Sequence, residues 1–219
     1  PTNISNKKYL SQNLKFLKKY NNKIDKILFS SVVPKIFDLI KSILKKIIKK
    51  KPCLELKKVK INNLVIIKVN KKQIGSDRLA NAISVIDNKN NYIIVDFGTA
   101  TNFDVVIKNQ YIGGILAPGV QLSLNNLIDS ASLISKVKLK KIGSVIGKNT
   151  DSAIRSGFYH GYTGLIDKII KLIIKQTGKS FSIILTGGLA HLFKNSIKGK
   201  TIVRKDLTIK GILKIATNL

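Results

Sequence analysis

Four short runs in this chain collect the residue types that phosphate chemistry uses. Asp96-Phe97-Gly98-Thr99-Ala100 directly follows the apolar run at residues 92–95. An acid at a strand end offers a hard oxygen ligand, a glycine lets backbone approach a bound group, and a neighbouring hydroxyl completes a phosphate or cation site. Asp-x-Gly is equally met as a tight turn. A protein-kinase magnesium loop is excluded, because no His-Arg-Asp loop and no opening glycine-rich loop accompany it. Gly75-Ser76-Asp77-Arg78 stands where a loop becomes a helix. Asp77 can take a proton there, and the helix start with Arg78 supplies positive potential for an anionic substrate, although an aspartate at that place also serves as an ordinary cap. Gly113-Gly114 with Pro118-Gly119, and Thr186-Gly187-Gly188-Leu189 after a buried run, suit backbone approach to a nucleotide or plain turn chemistry.

Such runs act only if regular elements hold them. Hydrophobic spacing predicts a helix over 5–20, a strand over 24–33 ending at Pro34, and an amphipathic helix over 35–50 with Ile36, Ile40, Ile43, Leu44, Ile47 and Ile48 on one face. Short strands follow at 54–59 and 64–69, then a helix over 77–85. Strands at 92–96, 104–108 and 111–115 form a meander, with Asn109-Gln110 as the hairpin turn. Helices over 120–133 and 150–176, the latter with an Ile166, Ile169, Ile170, Ile173 stripe, lead to a buried strand at 182–185 and a final helix over 207–215. The order is mixed α/β, with meander and crossover connections and no solenoid repeat.

The chain has 219 residues, 44% of them hydrophobic, enough for one large domain or two small ones. Its 40 Lys plus Arg against 11 Asp plus Glu give a formal charge of +29. Taken alone, that charge suggests nucleic acid or an anionic membrane surface. The only arginines are Arg78, Arg155 and Arg204, and the lysines are spread over almost every helix, without the localisation or interleaved aromatics of a nucleic-acid patch. Drift in an A/T-rich genome accounts for the pattern. A lone cysteine, Cys53, and two histidines, His160 and His191, leave neither an intramolecular disulfide nor a zinc cluster, and a reducing, cytoplasmic setting is expected. Lysine or asparagine interrupts each apolar run short of the ~18 residues of a membrane span, so no membrane association is expected.

The order of the motifs is more specific than any one of them. Ser30-Ser31-Val32-Val33-Pro34, Gly75-Ser76-Asp77-Arg78, Asp96-Phe97-Gly98-Thr99-Ala100-Thr101 with Asp104 beyond, Gly113 to Gly119, Ile146-Gly147-Lys148-Asn149-Thr150 leading to Ser156-Gly157, and Leu185 to Ala190 follow one another through nearly the whole chain. In that order they resemble a type III pantothenate kinase of the actin-like ATPase superfamily. The resemblance implies an α/β fold of the actin-like ATPase (ribonuclease H-like) kind: two similar mixed-sheet halves flanked by helices, at 1–90 and 91–219.

It also implies ATP-dependent phosphorylation of pantothenate to 4'-phosphopantothenate, the first step of coenzyme A biosynthesis. By similarity Gly75, Ser76, Asp77 and Arg78 line the pantothenate pocket, with Asp77 as general base. Asp96 is the ligand of a monovalent cation (potassium or ammonium), Gly98 and Thr99 meet ATP, magnesium accompanies the nucleotide, and Gly187 and Gly188 lie on the nucleotide side. Thr150 reaches pantothenate from the partner in a homodimer whose site lies at the interface. The family's opening Asp-x-Gly-Asn-Thr hairpin, which cradles ATP phosphates, is expected ahead of Pro1, so the first half is expected to be N-terminally incomplete. Before Gly75 this chain has Lys68, Asn70 and Lys71 where relatives carry an aromatic and Asn-Pro. The competing reading is a non-catalytic, kinase-like transcriptional accessory factor or nucleic-acid-binding protein.

Overall fold

The computed structural model describes residues 7–30, 34–48, 51–131 and 137–219. The predicted strand end at Ser31, Val32 and Val33, and the end of the predicted 120–133 helix, lie outside the described residues. In chain order the elements are α1 (Lys7–Leu14), running into a 3-10 helix at Lys15–Lys23, then β1 (Ile27–Phe29), α2 (Pro34–Ile47), β2 (Cys53–Glu55), β3 (Ile66–Ile67) and α3 (Ser76–Val85). The meander β4 (Asn91–Phe97), β5 (Ala100–Ile107) and β6 (Gln110–Pro118) precedes α4 (Val120–Ser130) and α5 (Thr150–Thr177). The chain closes with β7 (Ser182–Gly187), α6 (Ala190–Phe193), β8 (Thr201–Val203) and α7 (Leu207–Ala216).

The chain divides into two compact units, one of Pro1–Leu64, Asn70–Ser84 and Thr208–Leu219, the other of Val65–Val69 and Val85–Leu207. In the first, β1 and β2 pair in parallel, from Ile27 opposite Cys53 to Phe29 opposite Glu55. The amphipathic face read from the sequence sinks Ile43, Leu44 and Ile48 of the α2 segment, while its lysines stay outside. Phe29 meets Phe37 edge to face with ring centroids 5.3 Å apart. α3 buries Leu79 and Ile83 beside the smaller Ser76, Ala80, Asn81 and Ala82, and α7 approaches it closely at Ala80. A Cβ at Gly211 would lie 1.9 Å from the Ala80 carbonyl oxygen. Thr208 Oγ1 donates to Asn81 Oδ1 at 2.7 Å, satisfying a fully buried amide.

The second unit is built on a six-stranded sheet in the order β3-β6-β5-β4-β7-β8. β4, β5 and β6 pair antiparallel, and β7 returns parallel to β4 after α4 and α5. Period-2 alternation places Ile93, Val95 and Phe97 of β4 with Phe103, Val105, Ile183 and Leu185 in one core, against Tyr159, Ile166, Ile170 and Ile173 of α5. The predicted isoleucine stripe is therefore the seam between helix and sheet. Phe193 stacks on Phe97 at 5.0 Å and on Tyr159 at 5.8 Å, closing that core beneath the end of β4. α5 ends where Gly178 takes φ 64° and returns its N–H to Ile174 O at 2.9 Å.

Pairing moved several predicted boundaries. β5 starts at Ala100, well before the predicted 104, because β4 offers partners as far as Phe97. The predicted strand at 64–69 contracts to Ile66–Ile67, which pairs with Gln110 and Tyr111 at the edge of the sheet. The hairpin turn lies at Lys108, which takes φ 54°, and Asn109, one position earlier than predicted. Ahead of β4, the carboxylate of Asp87 accepts from the N–H groups of Asn90 (2.9 Å) and Lys89 (3.0 Å), from Tyr92 Oη (2.6 Å) and from Asn90 Nδ2 (2.7 Å). The Asn90 N–H, then Tyr92 and the Asn90 amide, hold that carboxyl well below the ordinary aspartate range. The loop's contribution to stability is thus present above about pH 4 and declines on acidification.

The helix clamp gives a direct test. Gly211→Ala must push α7 off α3, and overpacking of this kind costs about 1–3 kcal/mol. A fall in the thermal midpoint of several degrees is expected, whereas Gly157→Ala, where nothing lies within 4 Å of an added Cβ, should leave it unchanged or higher.

Candidate active site

Asp96 occupies the sixth position of β4, on the face opposite the Phe97 core. The two residues after β4, Gly98 and Thr99, make the exposed hairpin turn into β5, closed by the Gly98 N–H on Ala100 O at 3.1 Å. Two backbone segments converge on this turn and on the strand end before it. Gly119, the residue before α4, lies so close that an added Cβ would sit 2.1 Å from Thr99 O and 2.9 Å from Gly98 O. Gly187 takes φ 86°, and a Cβ there would meet Phe97 O at 2.5 Å and Asp96 Oδ1 at 2.7 Å. Gly188 donates its N–H to Phe97 O at 3.2 Å. The structure therefore brings together five predicted site residues, Asp96, Gly98, Thr99, Gly187 and Gly188, in a cradle of bare backbone around one carboxylate. The start of α4 adds the positive end of a helix dipole beside the turn.

Two cradle residues were absent from the site predicted by sequence. In the sequence Gly119 belongs to a pair that suits either backbone approach to a nucleotide or turn chemistry. Thr186, 3% exposed and directly beside Asp96 in the parallel register with β7, was read only as the head of a glycine motif. The signal for both lies in strand pairing, which a single sequence does not display.

Thr150 stands on a separate element, exposed in the first turn of α5. That turn is firmly built. Asn149 Oδ1 accepts from the Ser152 N–H at 2.8 Å while Ser152 Oγ accepts from the Asn149 N–H at 3.1 Å, a reciprocal capping box. Gly147 folds against the same turn, where a Cβ would lie 2.2 Å from the Ala153 nitrogen. Arg155 pairs with Asp151 at 3.1 Å along the helix.

In the first unit, Gly75–Arg78 forms the entry to α3. Asp77 folds its carboxylate back over Gly75, where an added Cβ would be 2.4 Å from Asp77 Oδ1. That oxygen is buried and has no hydrogen-bond partner among the described residues. A buried carboxylate oxygen left without a donor is costly, and such groups persist where a ligand supplies the missing partner. Ser76 turns inward: it is 1% exposed and its hydroxyl accepts from Ser30 Oγ at 3.1 Å, so its side chain anchors the loop. His160 packs edge-on against Tyr159 at 5.2 Å. Among the described residues no cluster of three or more His, Cys, Asp or Glu is placed to hold a metal ion.

The mixed sheet with flanking helices is an α/β fold of the actin-like ATPase class. The sequence model of the type III pantothenate kinase family matches residues 2–172. The chain is 59% identical over 212 residues to the type III pantothenate kinase of Pelagibacter ubique (strain HTCC1062), covering 97% of this chain and 83% of that protein. It is 40% identical over 202 residues to that of Sulfurihydrogenibium sp. (strain YO3AOP1), covering 90% and 80%. Among solved structures, that of a conserved putative Baf family transcriptional activator from Campylobacter jejuni superposes with a TM-score of 0.58 at 20% identity over 93% of this chain and 89% of that one, a likeness of fold. This chain belongs to the type III pantothenate kinase family.

Two substitutions test the local geometry. Gly187→Ala forces an L-residue into a left-handed conformation against Phe97 O, at a cost of roughly 1–3 kcal/mol, and should weaken ATP binding as the cradle shifts. Asn149→Ala removes the α5 cap at a cost of about 1 kcal/mol and should lower the thermal midpoint while leaving ATP binding intact. Melting curves with and without ATP read both.

Proposed function

We infer that Asp77 is the proton acceptor, and the Asp96 cradle the phosphate and cation site, of an ATP-dependent pantothenate kinase. The reaction is that of the family: pantothenate and ATP give 4'-phosphopantothenate and ADP, the first step of coenzyme A biosynthesis. The observation that carries the assignment is the Asp77 carboxylate oxygen, buried without a partner over Gly75 at the head of α3. An alcohol hydroxyl is the donor that oxygen lacks.

The primary alcohol of pantothenate donates its hydrogen bond to Asp77. As the alcohol oxygen bonds to the γ-phosphorus, the bond from that phosphorus to the β,γ-bridging oxygen breaks and ADP leaves with the electron pair. The alcohol proton passes late to Asp77, since the transition state of phosphoryl transfer is loose and its acceleration comes mostly from positioning and charge neutralisation. Arg78, beside the base at the helix start, attracts the pantothenate carboxylate. Gly75 leaves room for the folded-back carboxylate. Ser76 holds the loop through Ser30.

On the nucleotide side, the backbone around Gly98, Thr99, Gly187 and Gly188 admits phosphate oxygens without side-chain obstruction, and the Thr99 hydroxyl donates to one of them. Asp96 fits a monovalent cation such as potassium or ammonium: it is a hard oxygen at a strand end, approached by the bare backbone of Gly187. When bound, that cation neutralises phosphate charge. Magnesium enters with ATP. Thr150, exposed on a rigidly capped turn, is assigned to contact pantothenate across a homodimer. No helix among the described residues is long and apolar enough to cross a membrane, which accords with work in the cytoplasm on soluble metabolites.

Asp77→Asn keeps size and removes the proton acceptor. Turnover should fall about 10²–10⁴-fold with an unchanged circular dichroism spectrum and little change in pantothenate affinity by calorimetry. Turnover within a few-fold of the parent protein would move proton acceptance to another group.

A further inference from the structure

Directly across the β4–β5 pairing from Asp96 stands Asn102, and across the β4–β7 pairing stands Thr186. Residues in register share a face of the sheet, with Cβ atoms about 4.5–5.5 Å apart across an antiparallel pair. The three side chains therefore form one row over three adjacent strands, on the face opposite the Phe97 core. In the next row back, Ile94 and Ile184 are fully buried, and so is Asp104 of β5, whose carboxylate accepts from Tyr111 Oη at 2.7 Å. A polar row bordering such a layer pays for desolvation unless each oxygen finds a partner. Asn102 Oδ1 is buried and has no hydrogen-bond partner among the described residues.

A second feature points to the same place. Gly187 brings bare backbone up against Asp96, since a Cβ there would fall 2.7 Å from Asp96 Oδ1. The row thus offers one carboxylate, one amide oxygen without a donor and one hydroxyl beside glycine backbone. One formal negative charge with neutral oxygens suits a singly charged cation, whereas divalent sites gather several carboxylates. We propose that Asn102 is a second oxygen ligand of the monovalent cation held by Asp96, and that its neutrality keeps the site selective for a single positive charge. The proposal rests on the cation reading of Asp96 given above.

The test is the thermal midpoint of the purified protein against potassium concentration, with tetramethylammonium holding ionic strength constant. Potassium should raise the midpoint of the parent protein, and Asp96→Asn should abolish the rise. Asn102→Leu, similar in size but without the oxygen, should raise the half-saturating potassium concentration at least tenfold. Asn102→Asp places like charges opposite each other, so it should melt lower than the parent in tetramethylammonium and gain more from potassium. It also keeps the test decisive if the leucine variant fails to fold. Should both Asn102 variants titrate like the parent while Asp96→Asn is silent, the cation reading stands and the role of Asn102 is overturned. A parent protein whose midpoint ignores potassium would overturn both.

Discussion

The close approach of glycine backbone to the end of β4 is the constraint on which the arrangement around Asp96 depends. Phe97 points into the core, stacked on Phe193 at 5.0 Å, and alternation along the strand then obliges Asp96 to face the other way. The parallel register with β7 brings Gly187 opposite Phe97. At φ 86° and within hydrogen-bonding range of the same backbone, that position tolerates no side chain. Core packing beneath the sheet and ligand space above it are consequences of one register. A slip of one residue would bury the acid and expose the phenylalanine.

The entry to α3 is held by a different device. Small residues on α3 admit α7 to backbone contact at Gly211, and the Thr208–Asn81 hydrogen bond locks the pair. This fixes the first turn of α3 and so the direction of Asp77. The carboxylate is left with an oxygen that no described group satisfies, an arrangement stable only because the surrounding helix is over-determined.

Much of this was legible in the residues. Asp96-Phe97-Gly98-Thr99 after an apolar run read correctly as a strand end and turn, because the signal is local: alternation, then an acid, then glycine. The amphipathic pattern of α2 and the isoleucine stripe of α5 likewise expressed single faces of single helices. Features set by pairing were not legible. β8 was missed because Thr201–Val203 is a strand only by virtue of its pairing with Ile183–Leu185. Ser76 looked like a pocket residue, yet Ser30, 46 positions earlier, draws its hydroxyl inward. Gly119 suited either backbone approach to a nucleotide or turn chemistry, and its closeness to the Thr99 carbonyl depends on where α4 begins relative to a hairpin about twenty residues before it. Asn102, across the sheet from Asp96, carried no sequence signal, since cross-strand neighbours are not sequence neighbours.

The most direct measurement is the mass of the product formed when the protein is incubated with ATP, magnesium, potassium and pantothenate. The account requires a pantothenate species heavier by one phosphoryl group, in amounts equal to the ADP released and dependent on potassium. ADP release without phosphorylated pantothenate, or an unchanged pantothenate pool at complete ATP turnover, would contradict it.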